Sequence, residues 1–430
     1  MNLVWFRNDL RINDNNSLYK ACQQDNVMAV YCFDPRHYEI GEFGFKKTQN
    51  FRAKFLIETI TELKANLTEL NIPLFVFHGK PEKVLPKFIE THDITTVYLQ
   101  KEWTTEETYV LNATKRNSPK TVVFEEVYDQ FLFHPDDIPF PDFQKLPEVF
   151  TDFRKKCEKY STVRDCSKIP LKRDQRNLIS NDTYIPSLKD LGLSDFQKDS
   201  RTAFPFKGGE KEALKRVQDY FWQTKKLSFY KRTRNGLVGM DYSSKLAPWL
   251  ANGSISPRTV YWEVKRFEKE IVKNQDTYWL VFELLWRDYF KYVSLKHGSN
   301  IFKIHGILGK KYQWKNTSEE LEKWITGTTP EPFINANMKE LERTGWMSNR
   351  GRQNVASYWA KELNQDWRIG AAYFESMLLD YDVHSNWGNW MYNSGVGNDP
   401  RDRKFNIQLQ AQRYDGSGKF QKLWLQDTLF

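Results

Sequence analysis

Short runs of β-branched and aromatic residues recur through the first third of the chain. They occupy residues 2–6, 27–33, 73–77, 95–99 and 121–124. Longer segments with apolar positions at helical spacing lie between these runs, notably residues 51–70 and 82–91. Strands that alternate with helices predict βαβ units and a parallel sheet. Neither GxGxxG nor GxxxxGK[ST] follows any of the runs, so the pattern disfavours an ordinary dinucleotide-binding or P-loop protein.

The pattern changes twice further along the chain. Residues 131–208 are rich in Pro, Lys and Asp and show no sustained period, which predicts a connector that wraps one surface. From residue 209 the apolar period is helical almost to the end. We therefore predict a Rossmann-like α/β domain (1–130), an interdomain connector (131–208) and an all-α domain (209–430).

Composition narrows the class of protein. A chain of 430 residues with 40% hydrophobic and 28% charged residues is globular and too long for one ordinary core. No apolar run approaches the ~20 residues of a membrane span, and the chain opens on a strand-like pattern rather than a targeting segment. The four cysteines lack CxxC spacing, which disfavours a zinc site or a disulfide framework. We expect a cytoplasmic protein.

Charge and aromatic content leave two readings open. The net charge of +9 permits a polyanionic partner without requiring one. The chain has 15 Trp, 21 Tyr and 30 Phe, and most of the tryptophans lie beyond residue 200. Such enrichment is typical of proteins that stack on bases or on a ring cofactor, but it is equally typical of a packed helical core.

Residues 240–258 contain a candidate anion site. Ser243, Ser244 and Lys245 stand just before a helix-like stretch. Hydroxyl groups, backbone N–H groups and an ammonium group at such a position bind phosphate, although a serine there can simply cap the helix.

A second candidate site lies in residues 282–292. Glu283, Trp286 and Arg287 share one face of a predicted helix. A carboxylate, an indole and a guanidinium together could read and stack on a base; a surface ion pair beside a half-buried tryptophan is the alternative.

Residues 341–392 hold the densest polar pattern. Asn349 and Gln353 are one helical turn apart, and Asp380 and Asp382 precede a Trp- and Gly-rich segment. The paired carboxylates could serve acid–base catalysis, metal binding or hydrogen bonding to a bound heterocycle. His384 is a lone imidazole without ligand spacing, so we predict no metal site.

Several long motifs in register give these candidates a common interpretation. They are LVWFRNDLRINDN, GFKKTQNFRAKFLIE, MKELERTGWMSNRGRQ, DWRIGAAYFE, LLDYDVHSNWGNW, GVGNDPR and QAQRYD. Their order and spacing resemble the photolyase/cryptochrome family, and within it the cryptochrome-DASH branch, over nearly the whole chain. The resemblance implies noncovalent FAD in the helical domain and blue-light-driven repair of cyclobutane pyrimidine dimers in single-stranded DNA.

The resemblance also implies roles for individual residues. Tyr230, Ser243, Ser244, Lys245 and Leu246 would hold the FAD phosphates. Arg287, Trp346, Asn349, Arg352, Asp380 and Asp382 would line the flavin, with Asn386 beside its central ring. Trp390, Trp367 and Trp314 would carry electrons between the flavin and the surface. Glu102 would bind the pterin of a methenyltetrahydrofolate antenna.

The DNA contacts follow from the same resemblance. Glu283 and Trp286 would act on the lesion, together with Asn349, Gln353 and Tyr392, and Arg234 and Arg350 would contact the backbone. Gln353 and Tyr392 stand where duplex-acting photolyases commonly carry Met and Trp, as is typical of the DASH branch. Less aromatic stacking leaves less free energy to offset the opening of a duplex.

We therefore expect a monomeric photolyase of the DASH type. The alternatives are a blue-light receptor that signals through a partner with little repair activity, and an aromatic-rich nucleic-acid-binding module without flavin. The chain ends at Phe430 without the long tail usual in signalling members, which favours the enzyme. One departure stands out: the family's TGxPxxDAxM segment carries Pro330 and Asn335 in place of Gly and Asp.

Overall fold

A five-stranded, wholly parallel sheet forms the first part of the molecule. The computed structural model describes residues 1–23, 26–399 and 401–426. The strands are β1 (Asn2–Trp5), β2 (Val27–Phe33), β3 (Leu74–His78), β4 (Thr96–Gln100) and β5 (Val123–Val127), in the order β3-β2-β1-β4-β5. The predicted parallel sheet is confirmed, and every predicted strand overlaps an observed one. Pro400 of the GVGNDPR motif and the chain end after Gln426 lie outside the described residues.

The α-helices fall around the sheet and then form the second half of the chain. In the first half they are α1 (Asn16–Ala21), α2 (Asn50–Glu69), α3 (Pro81–Thr91), α4 (Thr105–Asn117) and α5 (Phe150–Tyr160). The second half contains α6 (Glu210–Val217), α7 (Tyr230–Thr233), α8 (Ala247–Asn252), α9 (Pro257–Glu270), α10 (Gln275–His297), α11 (Ser318–Thr326), α12 (Pro332–Thr344), α13 (Asn349–Ser357), α14 (Trp367–Met377), α15 (Val383–Ser394), α16 (Ile407–Asp415) and α17 (Lys419–Leu425). The predicted combination of an α/β half and a helical half is confirmed.

The long helix α10 packs at the centre of the helical half. It is capped by Asn274, whose side chain accepts hydrogen bonds from two first-turn N–H groups, and it packs against α7, α9 and α15. Among the described residues, no helix has both the length and the apolar character that crossing a membrane requires.

The predicted connector, residues 131–208, contributes to both halves. It contains helix α5, which the loss of apolar period in the sequence did not indicate. Phe131, Phe150 and Phe153 belong to the core of the helical half, whereas Leu188 and Leu191 complete the core of the α/β half.

A buried ion network joins the two halves. Arg258 of α9 places Nη2 2.7 Å from Asp14 Oδ1 and 2.6 Å from Asp129 Oδ1, and all three side chains are nearly inaccessible to solvent. Gly253 approaches the α/β half so closely that a Cβ atom there would lie 2.1 Å from the Asn8 carbonyl oxygen. The relative position of the halves is therefore set by specific contacts.

The segment with Pro330 and Asn335, which departs from the family pattern, is held together by hydrogen bonds between Asn335 and Thr329. The Asn335 side chain accepts hydrogen bonds from the N–H group and the hydroxyl of Thr329, and its Nδ2 donates to the Thr329 carbonyl at 2.7 Å. An aspartate could not make the last bond, so the asparagine adds one contact at the start of α12.

Candidate functional site

A cavity of about 670 Å³ opens in the helical half, between α7, α10, α13 and α15. Most of the predicted site residues line it. They are Tyr230, Arg234, Ser243, Ser244, Lys245, Leu246, Glu283, Trp286, Arg287, Trp346, Asn349, Arg350, Arg352, Gln353, Asp380, Asp382 and Tyr392. The volume lies within the range of small-molecule and cofactor sites.

One end of the cavity is a loop with free backbone donors. The buried Arg216 donates to the carbonyl oxygens of Ser243 and Ser244 at 3.2 and 3.1 Å, which fixes these carbonyls on the far side of the loop. The amide N–H groups of Ser243, Ser244 and Lys245 donate to no described protein atom. Lys245 has a left-handed backbone (φ 63°). Successive free N–H groups around a left-handed residue form a concavity that binds anions.

Lys245 places its amino group against two aromatic rings. Its Nζ is buried, lies 3.2 Å from the ring centroid of Tyr242 and 4.5 Å from that of Trp346, and has no hydrogen-bond partner within the described part of the chain. Burial lowers the pKa of Lys245 well below its usual value, and burial likewise raises the pKa of the neighbouring Glu340 to about 8. Among the described residues, the free donors at this loop are therefore the backbone N–H groups together with the unpaired Lys245 Nζ.

Polar pairs line the middle of the cavity. Arg352 Nη2 contacts both carboxylate oxygens of Asp380 at 2.9 and 3.0 Å, and its Nε donates to the Met347 carbonyl. Trp346 Nε1 donates to the Tyr242 hydroxyl at 3.1 Å. A planar ligand here would meet an indole, a guanidinium and a carboxylate.

Asp382 is ionised in spite of its burial. Burial raises its pKa, but the Lys291 ammonium at 2.9 Å, together with the Arg287 guanidinium, outweighs that effect and holds the pKa well below its usual range. Asp382 also caps α15 by accepting from the Ser385 N–H group at 2.8 Å. Asp382 thus lines the cavity as a carboxylate that is paired with the Lys291 ammonium.

Glu283 and Arg234 form an ion pair in the cavity wall. Arg234 Nη1 lies 2.9 Å from Glu283 Oε1. Burial raises the pKa of Glu283, and the Arg234 charge opposes that shift. Arg234, which the resemblance assigns to the DNA backbone, is therefore engaged by the predicted catalytic carboxylate.

Trp286 is backed by the connector. The ring of Phe150 in α5 is stacked on it with centroids 3.7 Å apart and an interplanar angle of 14°. One face of the indole is covered by this ring, and the side chain also lines the cavity.

The two residues typical of the DASH branch are each held by an arginine. Arg350 Nη1 donates to Gln353 Oε1 at 2.8 Å, and Arg403 Nη2 donates to the Tyr392 hydroxyl at 2.8 Å. With its oxygen engaged, the Gln353 amide retains its NH₂ group as the donor for a ligand.

The remaining predicted residues do not line the cavity. Asn386 is buried in α15, and its Nδ2 donates to the Ala371 carbonyl at 3.0 Å. Trp390 and Trp367 are buried, whereas Trp314 is partly exposed. Only Trp314, the last residue of the predicted electron chain, is accessible to solvent to any appreciable extent.

Glu102 lies outside the helical half, where the sheet order reverses. It follows β4, and its carboxylate accepts from Asn8 at 3.0 Å and pairs with Arg7 at 3.3 Å, both of which follow β1. The carboxyl ends of two such strands form the usual ligand crevice of a parallel sheet. The next residue, Trp103, stacks on His384 and donates to Ser294, which connects this crevice to the helical half.

Sequence reasoning missed several residues of the cavity. Arg216 is 27 residues before Ser243 in the sequence, so no local pattern indicated that it hydrogen-bonds to this loop. Tyr242 directly precedes the Ser-Ser-Lys motif and could have been included with it. Arg401 and Arg403 also line the cavity, and they belong to the segment just after GVGNDP.

Comparison with known proteins agrees with this architecture. Residues 2–172 match the DNA photolyase family, and residues 279–428 match the FAD binding domain of DNA photolyase. Cryptochrome DASH of Gloeobacter violaceus is 46% identical over 98% of this chain and 85% of its own length. The crystal structure of a Synechocystis cryptochrome superposes with a TM-score of 0.93 at 43% identity, covering 98% of this chain and 88% of that one. A Sulfolobus tokodaii photolyase, described with two FAD molecules and a novel light-harvesting cofactor, gives a TM-score of 0.78 at 26% identity, covering 99% and 90%.

Proposed function

Because the chain belongs to the cryptochrome DASH family of photolyase-like proteins, we propose that it repairs cyclobutane pyrimidine dimers in single-stranded DNA under blue light. The observation that carries the proposal is that one cavity contains both an anion-binding loop with flavin-type partners and the predicted lesion contacts. A light sensor that acts on no DNA substrate would not need the predicted lesion contacts.

The cavity fits FAD. The free N–H groups of residues 243–245 suit its diphosphate, and the Arg352–Asp380 pair, Asp382 and Trp346 suit a flat heterocycle with N–H and carbonyl groups at its edge. Bound FAD in its reduced form would supply the light-driven electron for ring splitting. The residues of the cavity would hold and orient the FAD and shield it from solvent.

The lesion would be bound by the groups on α10, α13 and α15. Glu283 in its protonated form would donate a hydrogen bond to a carbonyl oxygen of the dimer, and burial favours that form. Trp286 would stack on one base with the face that Phe150 does not cover. Gln353 would donate from its NH₂ group, because Arg350 engages its oxygen.

The preference for single strands follows from what these residues supply. Tyr392 and Gln353 offer less stacking surface than the Trp and Met of duplex-acting relatives, and stacking contributes about 1–3 kcal/mol per base. Unstacking and unpairing a base in a duplex costs a few kcal/mol. Single-stranded substrates avoid most of that cost.

We further propose an antenna at Glu102. Its carboxylate lies in the crevice between β1 and β4, the position in which a parallel sheet binds ligands, and a pterin N–H edge would pair with it. The Sulfolobus relative, with its second FAD, supports a further chromophore without identifying it here as a folate.

A repair assay tests the proposal directly. Purified holoprotein is reduced and illuminated with oligothymidine that contains one dimer, as a single strand and as a duplex, and recovery of thymine absorbance is followed. We expect light-dependent repair that is faster on the single strand. Absence of repair by protein that retains reduced FAD would refute the proposal and favour the photoreceptor, whereas equal rates on both substrates would refute only the preference.

A further inference from the structure

We propose that Arg403 is a positioning residue for substrate recognition: it fixes the ring of Tyr392 in the cavity, and Asp399 holds Arg403 in place for that task. The inference rests on the proposed function, since it concerns how a lesion is distinguished from undamaged bases. The family resemblance assigned no role to Arg403, or to Asp399 of the GVGNDPR motif.

The ring of Tyr392 has a defined place beside Trp286. The two rings are 5.9 Å apart at an interplanar angle of 87°, and both line the cavity. Tyr392 lies near the end of α15 and is only partly buried, so ring packing alone does not fix its side chain. The hydroxyl supplies the missing constraint by accepting from Arg403 Nη2 at 2.8 Å.

Arg403 is itself fixed from the opposite side. Its Nε donates to Asp399 Oδ2 at 3.1 Å, and the Asp399 side chain is 3% exposed whereas that of Arg403 is 38% exposed. Asp399 also accepts from the Arg401 N–H group at 3.1 Å, which ties the carboxylate to its own turn. The guanidinium is thus held between a buried carboxylate and a phenol, an arrangement that suits a planar fork.

This arrangement has a chemical consequence for the substrate. A base that enters the cavity beside Tyr392 and Trp286 meets two rings at a preset angle instead of a mobile phenol, so less conformational freedom is lost on binding. A tryptophan at position 392 has no acceptor for Arg403. The hydrogen bond therefore belongs to the tyrosine version of the site.

The test measures dark binding of the FAD-loaded protein to single-stranded oligothymidine with and without one dimer, over a series of salt concentrations. The variants are Arg403→Ala, Arg403→Lys, Tyr392→Phe and the double variant Arg403→Ala/Tyr392→Phe. Arg401→Ala is the matched control, because it removes the same charge from the same cavity rim.

We expect Arg403→Ala and Tyr392→Phe each to lower the preference for the dimer by a similar factor, roughly two- to tenfold for one hydrogen bond. The double variant should lose no more than either single variant, and Arg403→Lys should recover part of the loss. The salt dependence should be unchanged by Arg403→Ala. Additive losses, or an unchanged preference with a salt slope reduced by about 0.7, would overturn the proposal and make Arg403 a phosphate contact.

A crystal structure of Arg403→Ala gives a readout that is independent of lesion binding. The Tyr392 ring should turn away from its 87° arrangement with Trp286 or lose order, and an unmoved ring would contradict the proposal. If the wild-type protein shows no preference for the dimer while the ring still moves in the variant, the proposed function fails and the positioning role of Arg403 stands.

Discussion

Replacing Glu283 tests the chemistry of the cavity most sharply. Its carboxyl lies 2.9 Å from Arg234, and burial raises its pKa, which favours the protonated form that can donate to a lesion carbonyl. A hydrogen bond to a charged group contributes about 1.5–3 kcal/mol, which corresponds to a factor of roughly 10 to 150 in rate. We expect Glu283→Ala to slow repair by this factor, and Glu283→Gln, which retains an N–H donor, to slow it much less.

The pH dependence of repair follows from the same shift. The donor is present below the raised pKa of Glu283 and is lost as pH rises through it, so wild-type repair should fall with rising pH above the ordinary range of a glutamate. Glu283→Gln should remove that fall, because its amide does not titrate. The assay is single-turnover repair of a dimer-containing oligothymidine by pre-reduced protein, with Glu270→Ala on the exposed side of α9 as the control. Wild-type rates in Glu283→Ala at equal FAD content would show that the reasoning is wrong.

Three further predictions concern binding and stability. Arg216→Ala should weaken FAD binding about tenfold or more, as measured by flavin fluorescence, because the anion loop loses the donor to its carbonyls; Arg266→Ala is the exposed control. Arg258→Met should destabilise the protein by about 3–5 kcal/mol in urea unfolding, since it leaves the buried Asp14 without its cation and leaves Asp129 with Arg11 alone, and a smaller loss would show that water reaches the two carboxylates. His384 is buried against Trp103, and burial lowers its pKa well below its usual value; the unfolded chain therefore binds the extra proton, and stability is lost as pH falls below about 6.5. His384→Asn should reduce that loss by up to about 1.4 kcal/mol per pH unit, and an unchanged pH profile of unfolding would contradict the assignment.

The sequence predicted the sheet and the helical segments at residues 51–70 and 82–91 because the apolar periods of strands and helices are visible in neighbouring residues. Helix α5 was missed since its apolar positions, Phe150, Phe153 and Cys157, lie among many charged residues. The direction of the Lys245 side chain could not be predicted for a different reason. Its direction depends on Tyr242 and Trp346, and the second of these is about a hundred residues away.

Long-range pairing accounts for the other omissions. Nothing near Arg403 in the sequence indicates that its guanidinium reaches the hydroxyl of Tyr392, and nothing near Arg234 indicates Glu283. Motif resemblance located the residues of the cavity as a set, but the partner of each charged group is a property of the fold.

The connector has a consequence for how the chain is made. The α/β half emerges first during synthesis, yet Leu188 and Leu191, which complete its core, follow the last strand by about sixty residues. Until they emerge, a patch of aliphatic surface on the nascent sheet is exposed to solvent and can associate with other exposed apolar surfaces. The core of the α/β half is thus complete only when translation of the helical half is about to begin. The time at which this core closes is therefore set by the synthesis of the connector.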